Sequence, residues 1–191
     1  MSSAAVLDMA LTLFAERGYH GTTLRQIAEA LGIRTPSLYN HMTSKASLLD
    51  AITTSTITAV VDEFTAATEG VTDPVERLRR ATEVYAFRHA VHRRETMVVN
   101  GDAVHLEDPA RSLVREKRRW HERAFRQIIV DGVDAGVFDV ESAKLASFAI
   151  REMCVSVSRW FRVGGGDTTP EELSRQYGEY ALRIAGVRRT A

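Results

Sequence analysis

The chain has one cysteine, Cys154, and only four prolines in 191 residues. A single cysteine cannot form an intrachain disulfide, and in an apolar stretch it is several times more often a packed core residue than a redox sensor. No apolar run reaches the ~18 residues of a transmembrane helix, and no N-terminal stretch resembles a signal peptide. These absences predict a reduced, cytoplasmic protein with no membrane partner.

An excess of charge of either sign is also missing, because 25 Lys and Arg residues balance 25 Asp and Glu residues. With 45% hydrophobic and 26% charged residues, the composition is that of a globular chain that can bury a core. The sequence lacks a GxSxG elbow, a P-loop and an HExxH motif, so it gives no support to an enzyme and implies no cofactor. An enzyme acting on acyl thioesters stays as a minor alternative.

No alternating strand pattern is present, and helical spacing of apolar residues predicts an all-α fold. Repeated start signals, an N-cap followed by proline, occur at Asp73-Pro74, Asp108-Pro109 and Thr169-Pro170. The predicted helices span about 3–17, 23–31, 36–42, 45–69, 74–92, 94–105, 109–134, 140–162 and 170–186.

Two of these helices, joined by a glycine turn at Gly32, form a helix-turn-helix. Thr23 and Gln26 have the spacing of a capping box at the start of the first helix. The outward face of the second helix has hydroxyl, amide, phenol and imidazole groups and no carboxylate, which suits a phosphate-lined groove. That face comprises Thr35, Pro36, Ser37, Tyr39, Asn40 and His41. The alternatives are a helix pair within an ordinary core and, for His41, a surface histidine without a task.

The head of the chain resembles the DNA-binding domain of TetR-type transcriptional repressors over residues 4 to 52. The matching motifs are FAERGY at 14–19, TT at 22–23, IA at 27–28, LGI at 31–33, PSLY at 36–39, His41, SK at 44–45 and LL at 48–49. The resemblance implies base-facing roles for Arg25, Thr35, Pro36 and Asn40, and phosphate-facing roles for Thr23, Ser37, Tyr39, His41 and Lys45. Arg34 stands where many members have a capping serine, so we expect Thr35 to cap the helix instead.

The resemblance also implies the domain organisation. Residues 1–47 are expected to form a three-helix helix-turn-helix domain, and residues 48–191 a helical effector-binding and dimerisation domain. Residues 1–45 have four basic and three acidic side chains, so non-specific DNA affinity should be modest.

Aromatic residues and histidines on apolar helix faces predict an effector pocket in the second domain. The candidate lining residues are Tyr85, His89, His92, Trp120, His121, Ala124, Met153 and Trp160. A core of satisfied histidines explains the pattern almost as well. A metal held by His89 and His92 with His121 or Glu95 is a lesser alternative, and no metal is predicted. One or two arginines of helix 109–134 could guide an anionic ligand, although most should form a solvated face.

Apolar residues spread around helix 140–162, which predicts burial on two sides. In TetR-type proteins the last two helices pair with those of a second subunit, so we expect a homodimer that reads a near-palindromic double-stranded DNA operator. The segment RWFR at 159–162, GGG at 164–166 and TPEEL at 169–173 is similar to regulators whose effectors are acyl-CoA thioesters. The sequence therefore predicts a ligand-responsive repressor released by a small hydrophobic effector, for which an acyl-CoA is one candidate. A DNA-binding architectural protein without an effector is the alternative.

Overall fold

The computed structural model describes residues 2–187, which form α-helices, one short 3-10 helix and no strand. The all-α fold is therefore as predicted. The helices are α1 (Ser3–Gly21), α2 (Leu24–Ala30), α3 (Thr35–Leu38), α4 (Lys45–Thr68), α5 (Pro74–Val91), α6 (Arg93–Gly101), the 3-10 helix (Ala103–His105), α7 (Ala110–Asp134), α8 (Ala143–Trp160) and α9 (Pro170–Ile184).

The chain divides into two compact units. The head unit comprises Met1–Thr58 and Arg94–Glu116, and the body unit comprises Ala59–Arg93 and Lys117–Ala191. This division differs from the predicted boundary between residues 47 and 48, because α6 contributes to the head unit. The guanidinium of Arg94 donates to Asp8 Oδ1 at 3.0 Å and to Thr12 Oγ1 at 2.7 Å. Such contacts between distant segments have no local sequence signal.

A kink at Gly18 shapes the end of α1. Gly18 has φ 75° and ψ 163°, a conformation that side chains with a Cβ rarely adopt, and the helix resumes for one turn to Gly21. The fully buried Thr22 donates its hydroxyl to the carbonyl oxygens of Leu13, at 3.1 Å, and Gly18, at 3.0 Å. The predicted end of the first helix at Gly18 is thus a kink, and Thr22 closes it.

The start of α2 has the predicted capping box, in which the Thr23 hydroxyl accepts from Gln26 N and the Gln26 side chain accepts from Thr23 N. The prediction for α3 is wrong in two respects. Thr35 is the first helical residue and not the cap, and the N-cap is Arg34, whose side chain makes no capping hydrogen bond. The helix also ends at Leu38, before the predicted Met42, and continues only as a turn.

The middle of α4 is rich in hydroxyl side chains that bond to the helix backbone. Thr53 donates to Leu49 O at 2.8 Å, Thr54 to Asp50 O at 2.6 Å, and Thr56 to Ile52 O at 2.7 Å. These carbonyls are the ones that accept the i→i−4 amide bonds of the helix, so each oxygen is shared between two donors.

In the body unit, α5 packs against α8 and α9. Gly178 of α9 allows a close approach, because a Cβ at this position would lie 2.9 Å from Glu83 Cγ of α5. The predicted N-caps of α5 and α9 are both present, at Asp73 and Thr169. Fully buried residues, among them Leu78, Phe125, Ile128, Ile129 and Ile150, fill the core between these helices and α7.

Candidate functional site

The outward face of α3 and its following turn is polar and accessible. Pro36, Tyr39 and Asn40 are exposed, while Thr35, Ser37 and His41 are half-buried. On the opposite face Leu38 and Met42 are buried in the head unit, as the spacing predicted. Hydroxyl, phenol and amide groups are thereby presented together, with no carboxylate between residues 33 and 42.

The other candidate DNA-binding residues of the head unit have protein partners. The hydroxyl of the exposed Thr23 belongs to the capping box of α2. Arg25 is exposed, and its Nε donates to Glu29 Oε1 at 2.7 Å, which raises the pKa of the guanidinium. An exposed pair of this kind contributes little to stability, so Arg25 can exchange Glu29 for another acceptor at small cost.

Lys45, at the first position of α4, is committed to the C-terminal end of α1. Its ammonium donates to Tyr19 O at 2.9 Å and to Thr22 O at 2.8 Å, and it lies 4.2 Å from the centroid of the Tyr19 ring. Two of its three N–H groups are therefore used within the protein. The geometry gives Lys45 a structural role that the sequence did not indicate, alongside the phosphate contact implied by the resemblance.

The body unit brings three of the predicted effector residues into one aromatic cluster. The ring centroid of Tyr85 lies 4.4 Å from that of His89 and 4.7 Å from that of His121. The His121 ring also lies 4.9 Å from Phe64 and 5.6 Å from Phe125. We call Tyr85, His89, His121, Phe64 and Phe125 the ring cluster; all five are buried.

Burial sets the ionisation of the ring cluster. Desolvation is the largest cause of a pKa of about 4 for His89 and about 3 for His121, and the positive charge of Arg151 acts on both in the same direction, as does that of Arg88 on His89. Desolvation raises the pKa of the Tyr85 phenol to about 12. His89 Nδ1 lies 2.7 Å from Tyr85 O, and since a carbonyl oxygen can only accept, Nδ1 carries the proton. Both imidazoles are consequently neutral at pH 7.

Two buried nitrogen atoms beside this cluster lack hydrogen-bond partners within residues 2–187. They are His121 Nε2 and Arg151 Nε. Arg151 was not predicted as a site residue. The signal that could have found it is a charged residue within the apolar segment around Ile150, Met153 and Cys154 of α8.

The remaining candidate effector residues are more dispersed. Ala124 and Met153 are half-buried and pack against the core of the body unit. Trp120 lies 6.0 Å from Phe64, edge-on and partly exposed. His92 is the C-cap of α5. Trp160 is exposed and lines a separate groove of about 480 Å³ between α8 and α9, together with Phe161, Arg162, Gly165, Gly166, Asp167, Thr168, Leu173, Gln176, Tyr177 and Tyr180.

One face of α8 and α9 leaves large apolar side chains in solvent. Leu145 is 67% exposed, and Phe148 and Trp160 are each 57% exposed, on a helix whose opposite face is buried. Tyr180 and Ile184 of α9 are about two-fifths exposed. The predicted two-sided burial of α8 is thus one-sided within a single chain. Exposed apolar clusters of this kind mark interaction surfaces.

Within residues 2–187, no group of three or more His, Cys, Asp or Glu side chains is arranged to hold a metal ion. In the same range no helix is both long enough and apolar enough to cross a bilayer. Cys154 is buried, and burial raises the pKa of its thiol, which makes it unreactive.

Both parts of the chain match known protein families. Residues 6–52 match the family model "Bacterial regulatory proteins, tetR family", and residues 71–185 match "Tetracyclin repressor-like, C-terminal domain". The HTH-type transcriptional repressor KstR2 of Rhodococcus jostii is 30% identical over 182 residues, covering 90% of this chain and 85% of that protein.

Solved structures are similar over nearly the whole length. A tetR-family regulatory protein from Rhodococcus RHA1 is 30% identical with a TM-score of 0.86, covering 97% of each chain. AibR, solved in complex with isovaleryl coenzyme A and operator DNA, is 21% identical with a TM-score of 0.81, covering 95% of this chain and 96% of AibR.

Proposed function

Since the chain belongs to the TetR family of bacterial regulatory proteins, we propose that it is a transcriptional repressor that releases its operator when a small effector binds the body unit. The observation that carries the DNA-binding part is the polar, carboxylate-free face of α3, with Pro36, Tyr39 and Asn40 exposed above a buried Leu38. Relatives that match most of the chain are named as transcriptional repressors, so we propose action by binding and not by catalysis.

In this proposal α3 enters the major groove of the operator. Asn40, Arg25, Thr35 and Pro36 face base edges, because an amide or guanidinium pairs with the donor and acceptor pattern of a base. Phosphate contacts come from Thr23, Ser37, Tyr39, His41 and the remaining N–H group of Lys45, and they fix the register of the helix. Binding to bacterial operator DNA agrees with the cytoplasmic location that the sequence predicts.

A homodimer supplies the second recognition helix. One four-residue helix reads few base pairs, and two copies about 34 Å apart read successive major-groove turns of a near-palindromic site. The exposed apolar face of α8 and α9, with Leu145, Phe148 and Trp160, is the surface that we assign to the dimer. Its apolar character fits a permanent interface better than a free surface.

The effector site that we propose is built around the ring cluster. Tyr85, His89 and His121 supply polar edges within apolar surroundings, with Ala124, Met153 and Trp120 around them, which is the usual composition of a ligand pocket. His92, the C-cap of α5, and Trp160, which lines the separate groove between α8 and α9, lie outside the ring cluster. Because AibR was solved with isovaleryl coenzyme A, an acyl-CoA thioester is a chemically reasonable effector class for this chain.

Release requires that the effector favour a state of the dimer that binds DNA poorly. An effector that binds that state more tightly by about 1–3 kcal/mol changes operator affinity by about 5- to 150-fold. We propose that the effector-bound dimer holds its two recognition helices at a separation that does not fit successive major grooves.

The experiment that tests this function measures binding of the purified protein to labelled DNA from the region upstream of its own gene. The salt concentration is fixed, and a panel of saturated acyl-CoA thioesters is added to the complex. Tight binding that an acyl-CoA reverses supports both the repressor and the effector class. Tight binding that no acyl-CoA reverses rejects the effector class only, and absence of site-specific binding rejects the repressor.

Two variants test the assignment within α3. Tyr39→Phe removes one phosphate-bonding hydroxyl and should weaken binding about 3- to 10-fold on every operator sequence. Asn40→Ala should instead relax preference at one base pair by about 1–3 kcal/mol. Thr65→Val removes an exposed hydroxyl of the body unit, away from the face assigned to the dimer, and serves as a control. Reversal of the two patterns would contradict the assignment.

A further inference from the structure

The body unit encloses hydrogen-bonding nitrogens that nothing in the described chain satisfies. Arg151 Nε is buried without a partner, and a guanidinium N–H can only donate. His121 is 2% exposed, and its Nε2 is likewise without a partner. Buried donors in native proteins are almost always paired, and leaving one unpaired costs about 1–3 kcal/mol, more for a charged group. Both atoms therefore point to an acceptor supplied from outside the chain.

Several arginines act on these atoms, together with the carboxylate of Glu152 near Tyr85. Arg118 lies partly buried nearby, and its pKa is lowered by desolvation and then by the positive charge of Arg151. The same charge depresses the pKa of both His89 and His121. An anion that accepts from Arg151 would offset this repulsion.

We propose that the effector carries a negatively charged acceptor, a carboxylate, which Arg151 and His121 bind inside the body unit next to the ring cluster. This inference rests on the proposed function, because it assigns the polar end of the effector site. A carboxylate accepts from a guanidinium with good geometry, and a neutral imidazole offers a donor at Nε2 in one of its two tautomers.

The surroundings define the rest of the ligand. Phe64, Tyr85 and Phe125 present ring faces and edges around His121, so the group attached to the carboxylate is apolar or aromatic. Two kinds of molecule share this chemistry. One is a free carboxylic acid with an apolar body, and the other is an acyl-CoA thioester whose acyl chain ends in a second carboxylate.

The first test needs no ligand. Arg151→Met removes a half-buried guanidinium whose Nε has no partner while keeping the length of the side chain. Loss of its hydrogen bond to the Tyr85 phenol is offset by relief of that unpaired donor, so the melting temperature of the ligand-free protein should stay equal or rise. Arg123→Met, which removes an exposed arginine of the body unit, is the matched control and should change little. A melting temperature clearly lower in Arg151→Met than in Arg123→Met would mean that Arg151 has a structural role, and it would overturn the proposal.

The second test compares matched probes by thermal shift and by release from operator DNA. The pairs are 4-phenylbutyrate with 4-phenylbutyramide, decanoate with decanamide, and suberyl-CoA with octanoyl-CoA. We expect the member with the free carboxylate to stabilise the protein, and its affinity to fall about 10- to 100-fold in Arg151→Met but not in Arg123→Met. Arg151→Lys keeps the charge and should retain part of the affinity.

The outcomes distinguish the two kinds of ligand, and they separate the carboxylate inference from the repressor proposal. Activity of the acids alone assigns a free carboxylic acid, whereas activity of suberyl-CoA alone assigns the acyl thioester. Equal effects of the amides or of octanoyl-CoA, an unchanged affinity in Arg151→Met, or no stabilisation by any carboxylate would overturn the inference. In those cases operator binding still tests whether the protein is a repressor. Failure to bind operator DNA, with carboxylate binding intact, would reject the repressor alone.

Discussion

His89 and His121 place two imidazoles inside the core of the body unit. Their environment favours the neutral form of each imidazole in the folded protein. Desolvation and the charge of Arg151 keep both rings neutral, so the unfolded chain takes up protons more readily than the folded chain. Sequence spacing put both histidines on inward faces, but it could not show Arg151 beside them, because that proximity depends on how α5, α7 and α8 pack. A prediction for pH follows from the sign of the shifts.

Stability should fall as the pH decreases from about 6.5 to about 4. The folded-state pKa values, about 4 for His89 and about 3 for His121, lie below the unfolded value of about 6.5. In that window the unfolded state binds more protons, and each histidine contributes a slope of up to about 1.4 kcal/mol per pH unit. Urea unfolding at several pH values measures this slope. His121→Phe should reduce it, whereas Trp120→Phe, at the neighbouring non-titrating position of α7, should leave it unchanged; equal slopes in all three proteins would contradict the prediction.

Lys45 is the residue whose role changes most between sequence and structure. Lys45→Met removes two charge-assisted hydrogen bonds to the carbonyl oxygens of Tyr19 and Thr22. We expect the head unit to lose about 1.5–3 kcal/mol of unfolding free energy, measured by urea unfolding. Lys144→Met, at an exposed lysine of α8, is the control. Unchanged stability with weakened operator binding would instead mean that Lys45 only contacts a DNA phosphate.

At the scale of elements, local chemistry predicted where most helices begin. The capping box of Thr23 and Gln26 and the N-caps Asp73 and Thr169 all have the predicted hydrogen bonds, because a cap involves residues only two or three positions apart. Helix ends and the short α3 were predicted less well, since a helix of four residues depends on packing of Leu38 and not on propensity. The mistaken cap at Thr35 belongs to the same class of error.

The missing cap of α3 can be restored. Arg34 is exposed and makes no capping hydrogen bond, so Arg34→Ser should add a side-chain acceptor for Ser37 N, which donates to Arg34 O at 2.9 Å. We expect a gain of about 0.5–1 kcal/mol in unfolding free energy relative to Arg34→Ala, measured by urea unfolding. No difference between the serine and alanine variants would show that the turn preceding α3 cannot place the hydroxyl at the helix start.

At the scale of the whole molecule, the apolar face of α8 and α9 decides the oligomeric state. A carboxylate in the middle of that face would be desolvated on association, so Phe148→Glu should give a monomer in size-exclusion chromatography with light scattering. Loss of the second recognition helix should lower operator affinity about 100-fold or more. Val133→Glu, at a side chain 39% exposed on α7, is the control. If the Phe148→Glu protein is still a dimer, the dimer interface lies on another surface.

The boundary between residues 47 and 48 stays a prediction for the DNA-binding domain. The compact head unit of the structure also includes Arg94–Glu116, which the sequence did not indicate. The contacts responsible join residues more than eighty positions apart, such as Tyr19 N with Asp102 Oδ1 at 3.2 Å. No periodicity within a helix encodes such a pair, so the sequence alone does not predict this contact.

The hydroxyl-rich segment of α4 has a consequence for hydrogen exchange. Thr53, Thr54 and Thr56 compete with backbone amides for carbonyl oxygens, and such sharing slightly weakens and bends helices. The division between head and body units falls just after this segment, at Thr58 and Ala59. The amide protons here should exchange with solvent sooner than those in the core of α5. We therefore expect residues 53–56 of α4 to open more readily than helix segments whose carbonyl oxygens each accept a single bond.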